Sequence, residues 1–182
     1  MELAKSIPHY TLSPYQEGLM EKIAKIIESK TSGVSYVGTA PRQHGTTDAL
    51  TMLLAILLVT EPNLRVTVMS PYRSNSERML TLTSDWLVKM QKTDGVTKSR
   101  HRLRKDTSGL CYMCIHDPVP SWNPSVIIIT EAEYVNPNAV GDLFCCPTVD
   151  TNIIVMNYNI ENVKHVGAIW ARANEDKKEQ VD

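Results

Sequence analysis

The sequence predicts an α/β fold with a mainly parallel central sheet flanked by helices, and three observations predict it. Short apolar, β-branched runs recur along the chain, the clearest being Val126, Ile127, Ile128 and Ile129. Runs of this kind suit strands covered on both faces, as parallel strands are. Segments of helical length stand between the runs, and parallel neighbours need such crossovers. With 182 residues, 42% of them hydrophobic, the chain can bury one good core but hardly two. Residues 1–174 are therefore expected to form a single domain, followed by a charged tail at 175–182.

The first helix is expected at residues 14–29. Ser13 is its N-cap, Pro14 takes the first helical position, and Leu19, Ile23, Ile26 and Ile27 recur at helical spacing. A short strand follows at 35–38. After the turn from Pro41 to Gly45 comes a helix at 47–60, apolar nearly all round and hence buried. Residues 65–70 read as a strand and 75–90 as an amphipathic helix. Residues 95–116 read as a polar hairpin, with Gly109 in its turn region and 110–115 as its better strand. Strands at 125–130 and 152–157, a short helix after Pro137 and a helix at 162–173 complete the expected order.

Charge is nearly balanced, at −1, so phosphate contact is expected to be local rather than a general coating of nucleic acid. The basic stretch at 98–105 is the local exception. Arg100, Arg102 and Arg104 alternate within it, which on a strand would put all three on one face, a candidate DNA-binding surface. Cys111, Cys114, Cys145 and Cys146 suit free thiols in a reducing compartment. Cys111 and Cys114 with His116 look like half a zinc site, but Cys145 and Cys146 lack finger spacing, and no zinc is expected. The longest apolar run, 52–59, is far short of the roughly 18 residues a membrane span needs. No basic segment followed by an apolar one opens the chain, so the expectation is an intracellular protein.

The stretch most informative about chemistry is Gly38 to Thr47, between a short strand and a buried helix. A phosphate-binding loop belongs there, because loop N–H groups and the positive end of the following helix together cradle an anion. Gly45 permits close backbone approach, and Thr47 stands where the magnesium-binding hydroxyl of a G-K-[ST] loop belongs. Thr46 stands in place of the lysine. Downstream, Val126 to Ile129 end in Thr130 and Glu131, the form of a Walker B strand, at the strand end where open parallel sheets bind ligands. Ile153 to Met156 form another buried run that ends in polar residues.

In order and spacing these pieces resemble the ATPase domain of the terminase large subunit of herpesviruses and tailed phages, a P-loop NTPase of the ASCE type. The family's loop reads P-R-R-H-G-K-T in herpesviral members and R-Q-x-G-K-T in some phages. Pro41, Arg42, Gln43, His44, Gly45, Thr46 and Thr47 follow it except at the lysine. The resemblance runs over residues 12–159 and implies ATP and Mg²⁺ as ligands. It makes Glu131 the catalytic glutamate, Arg42 a trigger for hydrolysis, Gln16 the adenine-reading glutamine, and Pro41 to Thr47 the nucleotide loop. It places Thr47 and Thr130 at the metal positions, and it implies double-stranded DNA, the portal and other terminase subunits as partners, with homo-oligomers. Localisation would follow the virus, in host nucleus or host cytoplasm.

Two departures bear on the chemistry. Thr46 replaces the phosphate-binding lysine and Thr130 the Walker B aspartate. Losing one charge-stabilising contact typically costs on the order of a hundred- to a thousand-fold in rate, so hydrolysis is expected to be impaired. The family's nuclease domain is not expected within these residues. The reading is a terminase-like packaging ATPase module with weakened hydrolysis; the alternative is an inactive pseudo-ATPase serving a structural or regulatory role in packaging. An unrelated helicase-type P-loop protein is disfavoured by Arg42, Gln43 and His44, where helicase loops carry small residues.

Overall fold

Ser13 and Gln16 start the first helix by satisfying each other's backbone. The Gln16 N–H donates to Ser13 Oγ at 3.3 Å and the Ser13 N–H to Gln16 Oε1 at 2.9 Å, a reciprocal capping box. The structure, a computed structural model, describes residues 10–28, 33–38, 43–117, 123–136 and 151–157. From that cap α1 (Pro14–Glu28) runs on, burying Leu19, Met20, Ile23 and Ile27. β1 (Gly33–Gly38) follows, then α2 (Thr46–Thr60), whose residues 49–58 are all buried, as its uniform apolarity predicts. β2 (Arg65–Ser70) leads to α3 (Arg73–Lys89), which turns Met79, Leu80, Trp86 and Leu87 inward. Trp86 packs edge-on against Tyr10 at 4.8 Å, and Lys89 Nζ lies 4.1 Å from its ring centre.

Three strands follow, β3 (Val96–Lys98), β4 (Arg102–Lys105) and β5 (Ser108–Cys114), then β6 (Val126–Ile129), a 3₁₀ turn at Ala132–Tyr134, and β7 (Asn152–Asn157). They form one seven-stranded sheet in the order β1-β7-β6-β2-β5-β4-β3. The pairs from β1 through β5 are parallel, and β4 and β3 close the far edge antiparallel. The central strands β6 and β7 are buried on both sides, with alternate residues going to opposite cores. Val126, Ile128, Ile154 and Met156 join the large core beneath the helices, while Ile127, Ile129, Ile153 and Val155 join a smaller one on the other face.

The region read as a polar hairpin is the main correction. Residues 96–105 do fold back as an antiparallel pair, but β5 is buried along its whole length and joins the parallel part of the sheet beside β2. Gly109 is not in a turn: it sits inside β5, paired with Arg65 on one side and Arg104 on the other. The turn is Asp106 and Thr107, with Asp106 at φ 51°, a left-handed conformation aspartate tolerates better than most residues. Arg100 likewise lies ahead of β4, in the bend that precedes it, so only Arg102 and Arg104 share a strand face. Cys111 and Cys114 are buried free thiols of β5. Cys145, Cys146, the helix expected after Pro137 and that at 162–173 fall outside the described residues. No helix among the described residues is long and apolar enough to cross a membrane.

Candidate functional site

At the carboxyl ends of β2 and β6 and the start of α2, the structure opens a cavity of about 680 Å³. The loop residues Gln43, Gly45, Thr46 and Thr47 line it, together with Asp48, Arg78, Leu82, Glu131, Glu133 and Tyr134. The strand ends of a parallel sheet are where such sites are built. Residues taken from three separate parts of the sequence thus meet in one concavity.

Gly45 shapes the loop. It caps α2 at φ 72°, in the left-handed region that glycine adopts without strain. A Cβ added there would lie 2.5 Å from Gln16 Nε2. That amide donates to the Gly45 carbonyl at 3.3 Å, so α1 braces the loop from behind. Gln43 at φ 76° and Glu131 at φ 53° also adopt left-handed conformations, unfavourable for side chains with a Cβ. Both line the cavity, and strain of this sort gathers at sites where surrounding structure holds the backbone in place.

The polar groups around the loop are tied into pairs. Tyr10 donates to Asp48 Oδ2 at 2.6 Å and accepts from Gln16 Nε2 at 3.5 Å. Burial, then the hydrogen bond to Asp48 and that carboxylate's charge, push the Tyr10 phenol up to about 12. The hydroxyl of Thr46, which is buried, lies 3.1 Å from that of Tyr15. Across the cavity, Asn75 Nδ2 donates to Glu131 Oε2 at 2.5 Å. The first turn of α3 is itself pinned: the Ser70 and Ser76 hydroxyls lie 2.6 Å apart and Ser76 donates to the Met113 carbonyl at 2.7 Å.

Not every residue singled out in the sequence reaches the cavity. Gln16 stands behind the loop, its carboxamide engaged by Ser13, Tyr10 and Gly45. His44 is exposed and packs edge-on near Tyr15, with ring centres 6.0 Å apart. Thr130 is 1% exposed, and its hydroxyl donates to the Met69 carbonyl of the neighbouring strand at 3.2 Å. That hydroxyl turns to β2 rather than into the cavity. Pro41 and Arg42 lie outside the described residues. Among the described residues no three His, Cys, Asp or Glu side chains cluster tightly enough to hold a metal by themselves.

The arginines gather in a way the strand argument missed. Arg100 and Arg102 line a concavity of about 270 Å³ with Arg73, His101 and Asp117. Arg102 and Arg104 line another, of about 450 Å³, with Arg65. Arg73 is paired with Asp117 at 2.6 Å. Burial works against ionisation of that carboxylate, but Arg73 and the Cys114 N–H hold it below the usual range. Sequence reasoning passed over Asp48, Arg78, Leu82 and Tyr134 in the main cavity, and Asn75, which holds Glu131. Asp48 and Asn75 stand on first helical turns and Tyr134 shortly past a strand end, whereas Arg78 and Leu82 lie further along α3, where no local signal marks them.

No protein-family model matches the sequence, and no curated protein matches it either. Solved structures do match the fold. The large terminase of bacteriophage HK97 superposes with a TM-score of 0.63 at 12% identity, over 85% of this chain and 36% of that one. The large terminase ATPase domain of Thermus phage P74-26 gives 0.57 at 15% identity, over 86% of this chain and 66% of that one. The chain therefore has the P-loop NTPase fold of phage large-terminase ATPase domains, and it spans 36% of the HK97 protein's length.

Proposed function

We propose, from the fold this chain shares with phage large-terminase ATPase domains, that it is a terminase-like ATPase module for packaging double-stranded viral DNA, with impaired hydrolysis. The observation that carries this reading is the meeting of Gln43, Gly45, Thr46 and Thr47 with Glu131 in one cavity at the strand ends. The donor set suits a nucleotide. Loop N–H groups and the start of a 15-residue helix favour phosphate, and Thr47 and Glu131 offer oxygens beside it. Mg²⁺ asks little more, since it is usually held by one or two carboxylates and the phosphates themselves. When bound it would neutralise charge developing on the phosphates.

In this reading Glu131, oriented by Asn75, polarises the attacking water, and the backbone around Gly45 positions the phosphate chain. Arg42 acts as the hydrolysis trigger, a role that rests on the loop's resemblance alone. Thr47 is the metal-side hydroxyl. Thr130 contributes to the strand and not to the metal, because its hydroxyl is committed to Met69. Arg102 and Arg104, with Arg100 and Arg65 beside them, form the surface proposed to grip DNA phosphates. The portal, other terminase subunits and further copies of this chain are the protein partners the reading carries, in host nucleus or cytoplasm.

A second reading, a pseudo-ATPase that keeps the cavity without turnover, is favoured by a specific feature. Thr46 bonds Tyr15 and Thr130 bonds Met69, so neither position offers a charge to substrate. A titration with ATP and magnesium on wild type and Thr46→Lys, with phosphate release followed in the same samples, separates the two. Binding with slow turnover supports the ATPase module. Binding without turnover supports the pseudo-ATPase. Absence of binding by both proteins removes the nucleotide from either account.

A further inference from the structure

We infer that Arg78, on α3, supplies the phosphate-directed positive charge that the loop lacks at Thr46. The inference rests on the nucleotide reading of the main cavity and names a residue for it. Charge balance is the first ground. Among the described residues lining the cavity, Asp48, Glu131 and Glu133 are acidic and Arg78 alone is a fixed cation. A polyphosphate entering that surface meets repulsion unless a cation faces it, and Asp48 stands in the first turn of α2, beside the anion-binding end.

Helical geometry is the second ground. Asn75, Arg78 and Leu82 stand at spacings of three and four along α3, which places them on one stripe. Asn75 holds Glu131 across the cavity, and Arg78 and Leu82 line it. The stripe faces the site as a unit, and the Ser70, Ser76 and Met113 hydrogen bonds fix the helix start that carries it.

The third ground is availability. Asp48 accepts a hydrogen bond from Tyr10 and Glu131 one from Asn75, each a neutral donor. Among the described residues no ion pair or hydrogen bond engages the Arg78 guanidinium, which is exposed at the cavity wall. A guanidinium presents a planar fork that matches phosphate oxygens in pairs, so it serves this role at least as well as an ammonium. The positive charge has moved from the loop to the helix that follows the next strand.

The test uses a fluorescent ATP analogue with magnesium, displaced by unlabelled ATP and separately by inorganic tripolyphosphate, on wild type, Arg78→Ala and Arg78→Lys. Arg78→Ala should weaken ATP and tripolyphosphate by the same factor, about ten- to a hundred-fold, with Arg78→Lys in between. Thermal melts should stay unchanged, since the side chain is exposed. If Arg78→Ala binds both competitors as wild type does, this inference falls and the nucleotide site stands. Weakened ATP with unchanged tripolyphosphate also overturns it, because the contact would then lie outside the phosphates. A wild-type protein that binds neither probe nor competitor removes the nucleotide reading and this inference together.

Discussion

Replacing Gly45 by alanine tests whether the loop is shaped by its own backbone or by the helix behind it. Two effects add. A residue with a Cβ at φ 72° loses about 1–2 kcal/mol relative to glycine. The new methyl would also lie 2.5 Å from Gln16 Nε2, so the carboxamide must move. Moving it breaks the 3.3 Å bond to the Gly45 carbonyl and loosens the capping box at Ser13, together about 1–2 kcal/mol. Gly45→Ala should therefore destabilise the protein by about 2–4 kcal/mol, read as a fall in the urea midpoint at constant slope. In a Gln16→Ala background only the backbone effect remains, and the same substitution should lose about 1–2 kcal/mol. Equal losses in both backgrounds would refute the bracing role of Gln16. A loss under about 0.5 kcal/mol in either would mean that Gly45 is not held in the left-handed conformation.

Thr130→Asp, which restores a Walker B aspartate on paper, should lower stability by about 3–5 kcal/mol and bring no gain in magnesium-dependent turnover. It would bury a carboxylate against the Met69 carbonyl at a position 1% exposed; a stable variant with raised turnover would refute this. Tyr10→Phe should lose up to about 1 kcal/mol at neutral pH by removing the bond to Asp48. Because the folded phenol is raised to about 12 from the usual value near 10, its contribution is full below about pH 10 and disappears as pH rises through about 12. Urea melts across that range should show wild type converging on Tyr10→Phe; a constant gap would contradict the assignment.

What could be read in the sequence were features decided within a few residues. β2, β6 and β7 are apolar runs, α2 is apolar all round, and Ser13 with Pro14 marks a helix start by local chemistry. β5 was legible as a strand at 110–115, but its start at Ser108 and Gly109 and its parallel place beside β2 were not, because neighbours confer them. Ser108, Gly109 and two cysteines carry little intrinsic preference for a strand, but β2 and β4 pair on either side and bury all seven residues. Gly109 looked like a turn signal when its part is to pass closely between two strands. At the cavity, Gln43, Gly45, Thr46, Thr47 and Glu131 were legible as residue types at meaningful spacing. The direction of Thr130, the internal use of Gln16 and the approach of Arg78 depend on how separate elements pack, and no local pattern records that.

The same distinction explains how the cavity keeps its shape with a threonine at position 46. The cavity is held by contacts that do not involve substrate: Gln16 on Gly45, Tyr10 on Asp48, Asn75 on Glu131 and Ser76 on Met113. None of these depends on the residue at position 46, where the threonine is itself held by Tyr15. Several elements share the rim, so a charge given up by one can be carried by another without moving the backbone. A motif search reads one of those elements at a time and registers such an exchange as a loss. The cavity registers only the sum.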